Sequence, residues 1–272
     1  MIECDAILLA AGKGERLAQG RPKARVELAG EPLFVHALRV LAAHSAVERI
    51  LLVGPSDEAE RREMETEARQ IAGSRLFATM PGGAERQDSS RVALDLLHQV
   101  NTPSRRAVLI HDAARPLLSS ELIDRCLQAL ETGLPIDAQG ALPGIAPKED
   151  GPAGVVPGLP IRETLKLVFE GRVVMTQPRE RLFAIQTPQA FRFGMLRQAH
   201  QRARSLEMLG TDDASLLEWL GIPVVVVEGD PENLKVTYPQ DLDLAELLLE
   251  RRRTRPNAAG GSSVSQSGRS SA

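Results

Sequence analysis

The stretch "AAGKGERLAQGRPK" (10–23) follows a short apolar run, "DAILL" (5–9). Gly12 and Gly14, one residue apart and followed by Arg16, Arg21 and Lys23, pose the question of a phosphate cradle. A nucleotide-triphosphatase P-loop needs G-x-x-x-x-G-K followed by Ser or Thr, which is absent here. The dinucleotide fingerprint G-x-G-x-x-G needs a third glycine and opens a helix directly. Here the third position is Leu17, and Pro22 sits where that helix would continue. Proline inside a helix removes a hydrogen bond and clashes with the preceding turn, at ~3 kcal/mol. The sequence therefore predicts a loop after Gly14. Its backbone N–H groups and small side chains would let a triphosphate lie close, with Arg16 and Lys23 reaching it from two sides. A plain strand-to-helix loop with solvated cations has the same local pattern, so the rest of the chain must discriminate.

The chain has 272 residues, of which 43% are hydrophobic, enough for a sizeable core. Its 33 Lys and Arg against 36 Asp and Glu leave a formal charge of −3. That balance argues against bulk nucleic-acid or membrane-surface binding, so any anion must be met by locally placed cations. "MIECD" does not read as a signal peptide, and no apolar stretch nears the ~18 residues of a membrane helix. Cys4 and Cys126 are too few for a disulfide framework or a cysteine zinc site. A soluble, cytoplasmic protein is expected.

β-type runs at 6–9, 49–54, 75–80, 107–112, 182–187 and 223–229 alternate with helical patterns. Apolar spacings of three and four mark helices at 32–44, 87–100 and 119–131, and further helices are expected at 193–208, 211–220 and 239–252. Residues 57–72 are so charged that a solvated helix or a loop is expected. Nearly all-apolar strands alternating with helices imply an α/β three-layer sandwich with a mostly parallel, Rossmann-like sheet. Two regions interrupt the rhythm. "PGIAPKEDGPAGVVPGLP" (143–160) is dense in Pro and Gly and is expected to hold no regular element. Residues 161–181, with β-prone runs around Glu170 and Gly171, are expected to form a projecting hairpin arm. The domain is expected to span 1–252, with 253–272, rich in Ser and Gly, a disordered tail.

The opening stretch resembles the L-x-A-A-G-x-G-x-R…P-K pattern of nucleotidyltransferases that activate sugar phosphates. In order there follow "GGAERQDSSRVAL" (82–94), "IHDAARPLL" (110–118), "IRETLK" (161–166), "IQTPQAF" (185–191), "TDDASLLEWLG" (211–221) and "ENLKVTYPQDLDLAE" (232–246). Together they look like the 2-C-methyl-D-erythritol 4-phosphate cytidylyltransferase family of the non-mevalonate isoprenoid pathway, over about residues 5–250. "LAAG" alone marks only the superfamily; "HDAARP" with "QTPQ" and "NLKVT" is more specific.

The resemblance implies CMP transfer from CTP to the polyol phosphate, with pyrophosphate leaving. Such transfers need positioning and charge neutralisation rather than covalent chemistry from the protein. Arg16, Lys23 and Lys235 match the family's catalytic cations. Ala10, Ala11, Gly12, Gly14, Gly82, Gly83, Arg86 and Ser89 match its nucleotide-holding positions. Asp112, at a strand's carboxyl end where open α/β sheets bind ligands, is implied to hold Mg²⁺ or to position Lys23, with Asn233 a second candidate for the metal. Asp112, Arg115, Thr164, Arg179, Thr187, Thr211 and Asp212 match positions around the acceptor. Thr164 and Arg179 lie in the arm, which in the family reaches into the other subunit, so a homodimer is implied. His111 is expected to be packed rather than catalytic. The segment around 143–158 is extra relative to the family, and Ala24 stands where Gln is common. The motifs also fit a ribitol 5-phosphate cytidylyltransferase, whereas the missing third glycine and Pro22 disfavour a nicotinamide oxidoreductase. The "GGAER" loop favours cytosine over guanine or uracil.

Overall fold

The computed structural model describes residues 2–12, 14, 17, 22–133 and 152–254. The apolar run around the opening stretch becomes β1 (Cys4–Leu9), every residue of it buried. It is followed by a small hairpin, β2 (Glu27–Leu28) and β3 (Glu31–Pro32), and then α1 (Leu33–Ala43), β4 (Val47–Gly54), α2 (Glu58–Ala72) and β5 (Leu76–Pro81). Next come α3 (Arg86–Gln99), β6 (Ala107–Asp112) and α4 (Ser120–Thr132). Beyond residues 134–151 the chain resumes as β7 (Gly154–Pro160), β8 (Leu165–Phe169), β9 (Arg172–Gln177), β10 (Phe183–Ile185) and β11 (Gln189–Arg192). It closes with α5 (Phe193–Ser205), α6 (Asp213–Trp219), β12 (Val224–Glu228) and α7 (Pro239–Thr254).

One eight-stranded sheet carries the molecule. β6, β1, β4 and β5 run parallel to one another in that order, so all four carboxyl ends meet at one rim. β11 continues the sheet antiparallel to β6 and pairs with β7 on its other side. β10 pairs with the far end of β7, and β12 runs parallel along β7. Successive side chains of a strand point to opposite faces, and the core divides accordingly. Ala6 and Leu8 join Ile50, Leu52 and Leu109 under α1, α2 and α4. Ile7 and Leu9 join Leu51, Val53, Val108 and Ile110 under α3, α5 and α6. That is the expected three-layer sandwich.

The structure corrects the reading of 143–160. Residues 154–160 form β7, an internal strand of the sheet. Pro157 is tolerated there because pairing with β10 ends at Gly158 and pairing with β11 begins at Val155. Its missing N–H therefore falls at the interruption between the two partner strands. Gly154 and Gly158 are needed for close packing: a Cβ on Gly154 would lie 2.8 Å from the Phe191 ring, and one on Gly158 3.1 Å from Ile185. Residues 143–151 lie outside the described residues.

Of the two alternatives for 57–72, the helix is found, capped by Asp57, whose side chain accepts from the Glu60 N–H. Only Met64, Ala68 and Ala72 of α2 are buried, which is why its apolar stripe is hard to see in sequence. The arm is a β8–β9 hairpin forming a two-stranded sheet of its own. α7 continues to Thr254, two residues into the expected tail, and 255–272 lie outside the described residues. Among the described residues, no helix is long and apolar enough to cross a membrane.

Candidate functional site

The carboxyl ends of β1, β4, β5 and β6 open into a cleft of about 1190 Å³. Single-ligand pockets span ~300–1,000 Å³, so there is room for a nucleotide and part of a second substrate. Backbone bonds fix the rim: Ala10 N–H donates to Val53 O (2.7 Å), Ala113 N–H to Leu9 O (2.9 Å) and Gly82 N–H to Gly54 O (2.9 Å). The loops leaving three strands are thus tied to their neighbours before any ligand is present.

The loop after β1 turns back on itself, with Lys23 N–H donating to Gly12 O at 3.0 Å. Gly14 has φ +74°, and a Cβ there would sit 2.8 Å from Lys23 Cβ. Only glycine allows that approach, and the approach holds Lys23 against the cleft. Leu17 is buried under α7 with Val236 and Ala245, which pins the loop from beneath. Among the described residues, no helix starts before Leu33 apart from short 3₁₀ turns. Arg16 lies outside the described residues.

Across the cleft, a Cβ on Gly82 would overlap the Ala11 methyl, so the loops after β1 and β5 touch. Glu85 and Asp88 form a capping box at the start of α3. Ser89 Oγ accepts from Gly83 N–H (3.1 Å) and donates to Glu85 O (3.2 Å), which shapes the loop directly.

The charges converge on Asp112, at the end of β6. Its Oδ1 accepts from Arg86 Nε at 3.0 Å and its Oδ2 from Lys235 Nζ at 2.8 Å. Burial alone would raise the pKa of Asp112, but the Arg86 and Lys235 charges hold it well below the usual carboxylate range. Lys235 is delivered by the loop between β12 and α7, tied down where Val236 N–H donates to Ala114 O at 2.8 Å. Beneath Asp112, Thr187 Oγ1 accepts from the Asp112 N–H (3.0 Å) and meets His111 Nδ1 at 3.1 Å. His111 Nε2 faces Arg115 O at 3.0 Å. A carbonyl can only accept, so Nε2 carries the proton and Nδ1 accepts from Thr187. Burial lowers the pKa of His111 to about 4, keeping it neutral, in line with a packed residue.

Ala10, Ala11, Gly12, Gly14, Lys23, Gly82, Gly83, Arg86, Ser89, Asp112 and Lys235 all line this cleft. The other expected residues that are described do not. Arg115 donates to Asn233 O (2.9 Å) and Ile185 O (3.2 Å), clamping two loops together. Asn233 is fully buried behind the cleft, its Nδ2 donating to Thr187 O at 2.8 Å. Asp212 caps α6 and accepts from Gln189 Nε2 at 2.6 Å. Thr164, Arg179 and Thr211 are exposed, and Arg179 donates to Arg162 O within the arm.

The donor set bears on Mg²⁺. Among the described residues no group of three His, Cys, Asp or Glu is placed to hold a metal. Asp112 fits as a lone protein carboxylate, since each oxygen has accepted one hydrogen bond and retains a lone pair. Mg²⁺ is commonly bound by one or two carboxylates with substrate phosphates and water. Asn233 Oδ1 is buried without a hydrogen-bond partner among the described residues, but it does not face the cleft.

Sequence reading missed one member of this constellation, Asp213, whose Oδ2 accepts from Arg86 Nη1 at 2.5 Å. Its only sequence signal is the doubled acid of "TDDAS", where Asp212 is the obvious helix cap.

The family model described as 2-C-methyl-D-erythritol 4-phosphate cytidylyltransferase matches residues 4–146 and 136–251. A protein of that name from Streptomyces coelicolor is 39% identical over 255 residues, covering 91% of this chain and 85% of its own. One from Halalkalibacterium halodurans is 37% identical over 254 residues, covering 93% and 100%. The crystal structure of 2-C-methyl-D-erythritol 4-phosphate cytidylyltransferase from Thermus thermophilus superposes with a TM-score of 0.67 at 29% identity, covering 90% of this chain and 98% of that one.

Proposed function

The chain belongs to the 2-C-methyl-D-erythritol 4-phosphate cytidylyltransferase family, and from that premise we propose that it transfers CMP from CTP to 2-C-methyl-D-erythritol 4-phosphate. The products are 4-diphosphocytidyl-2-C-methyl-D-erythritol and pyrophosphate, on the way to isoprenoid precursors, in the cytoplasm. The observation that best supports this in the chain itself is the meeting of Arg86 and Lys235 on Asp112, in a cleft walled by the loops at 10–14 and 82–86.

The acceptor's phosphate oxygen attacks the α-phosphorus of CTP, and the bond to the β-phosphate oxygen breaks as pyrophosphate leaves. Negative charge gathers on the α-phosphoryl oxygens, where fixed cations act most strongly. Lys23 and Lys235 both line the cleft and take that role with Arg16. Asp112 holds Lys235 in place through Oδ2 while its Oδ1 accepts from Arg86. Gly82 and Gly83 let the cytosine lie against backbone, and Ser89 keeps that loop in shape. A divalent cation bound with CTP would have Asp112 as its protein ligand and would supply charge neutralisation to the phosphates.

Thr187, Thr211, Asp212 and Arg115 are assigned to the acceptor side, with Thr187 joined to the cleft by the Asp112 N–H. Thr164 and Arg179 would complete the site of the partner subunit of a homodimer. What supports that assembly is the arm itself: among the described residues its strands pair only with each other, and Leu167, Val168, Phe169, Val173, Val174 and Met175 are all exposed. An isolated two-stranded hairpin is marginal in water.

The test is pyrophosphate release with CTP, supplying methylerythritol 4-phosphate and ribitol 5-phosphate side by side. Turnover with the first at more than tenfold the kcat/KM of the second is expected. Preference for the ribitol phosphate, or equal turnover of GTP, would contradict the assignment.

A further inference from the structure

From behind the cleft to its wall, ionisable side chains run in a single row. Asp213, the first residue of α6, is 1% exposed and lies between two basic side chains. Its Oδ2 accepts from Arg86 Nη1 at 2.5 Å, and its Oδ1 accepts from His200 Nε2 at 2.9 Å. His200, on α5, is as deeply buried. Arg86 passes the row on to Asp112, and Asp112 to Lys235. The row thus links helices packed on one face of the sheet to the rim where the phosphates would lie.

Arg86 has three nitrogens and only two are engaged. Nε is on Asp112 and Nη1 on Asp213, while Nη2 is buried without a hydrogen-bond partner among the described residues. The guanidinium is a rigid planar fork, so two anchors on different nitrogens fix the direction of the third. The two anchors differ in kind. Asp112 lines the cleft and is shared with Lys235, so an entering polyanion competes for both of its cations. Asp213 is not part of the cleft lining and meets that competition only through Arg86. A buried carboxylate left without its partner is costly, so Asp213 keeps its hold on Arg86 when the pull on Asp112 changes.

We propose that Asp213, braced by His200, is a positioning residue that anchors Arg86, which lines the cleft, for the binding of CTP. This rests on the cytidylyltransferase reading, since it assigns the cleft to CTP. Burial works against ionisation of Asp213, but Arg86 and His200 hold its pKa at about 2, so the anchor is charged at any working pH. His200 Nδ1 is buried with no hydrogen-bond partner among the described residues, which leaves the ring's role to the Asp213 side.

The experiment is a double-mutant cycle read as the Kd for CTP by calorimetry, without acceptor, on full-length protein. Asp213→Asn keeps the shape but removes the charge, and about tenfold weaker CTP binding is expected. Arg86→Ala should weaken binding at least as much, and adding Asp213→Asn to it should change the Kd by less than twofold. Losses that multiply in the double variant, or Asp213→Asn within twofold of wild type, would overturn the proposal. Should Asp213→Asn fail to fold, the comparison moves to His200. His200→Leu should weaken CTP binding severalfold, and His200→Gln, whose amide can still donate to Oδ1, should restore it. Equal losses in the two, or no loss in either, would count against the anchor. Wild-type protein that bound no CTP would instead overturn the cytidylyltransferase reading, and this proposal with it.

Discussion

At the scale of single residues, the proposed chemistry separates cations that bind from cations that act in the transition state. Lys23 is held against the cleft by a loop that only glycine at position 14 permits. Its charge would meet oxygens that become more negative during transfer, so Lys23→Ala should lower kcat by ~10²-fold or more and weaken CTP binding much less. Steady-state kinetics separate the two: an unchanged kcat with a raised KM would make Lys23 a mere binding contact. Two buried groups also predict how stability depends on pH. His111 titrates near 4 in the folded chain against 6.5 when free, so the unfolded chain takes up that proton first. Its contribution is complete above pH 6.5 and is lost as pH falls towards 4. Asp213, near 2 when folded against 3.8 when free, adds a further loss between pH 3.8 and 2. Each group contributes a slope of at most ~1.4 kcal/mol per pH unit within its window. Urea melts of the wild type should therefore weaken from pH 7 to pH 5, and His111→Gln should flatten that part of the curve. A wild-type curve already flat over that range would contradict the neutral, buried imidazole.

At the scale of elements, the site exists because loops from different strands touch. Gly82, just past β5, has no space for a Cβ beside Ala11, just past β1. Gly82→Ala should cost ~1–3 kcal/mol of stability and weaken CTP binding, with Ala11→Gly restoring part of both. Thermal melts and CTP titration of the single and double variants check this; the absence of any rescue would mean that the two loops are not in contact. The same long-range character explains what the sequence could and could not reveal. β1, β4 and β6 were legible because a strand buried on both faces needs an unbroken apolar run, and "AVLIHD" and "RILLVG" have one. β7 was not, because Pro157 and two glycines look like loop unless one knows that its partner strands are interrupted opposite the proline. β11 was hidden by its length of four residues, one of them a buried Gln. In the cleft, the glycine loops and cations followed from local pattern and family resemblance. Asp213 did not, because its partner Arg86 is 127 residues away and its neighbour Asp212 already satisfies the local helix-cap rule.

At the scale of the whole molecule, the arm leaves a pair of strands with an apolar surface and, among the described residues, no third strand to cover it. Phe169 is 68% exposed at the arm's tip. A homodimer with shared sites predicts a specific complementation. Lys23→Ala and Arg179→Ala subunits, each nearly inactive alone, are mixed and allowed to exchange. In the heterodimer one site collects both lesions and the other neither, so activity should recover towards half the wild-type value per dimer. No recovery despite demonstrated exchange would place every site within one subunit. Above all of these stands the bond that is made, and phosphorus NMR of a mixture of CTP, methylerythritol 4-phosphate and the protein observes it without an intermediary. The monoester signal should be replaced by the two coupled signals of a diphosphate diester, with one equivalent of pyrophosphate. Release of inorganic phosphate with CDP, or an acceptor monoester left intact while CTP is consumed, would contradict cytidylyl transfer.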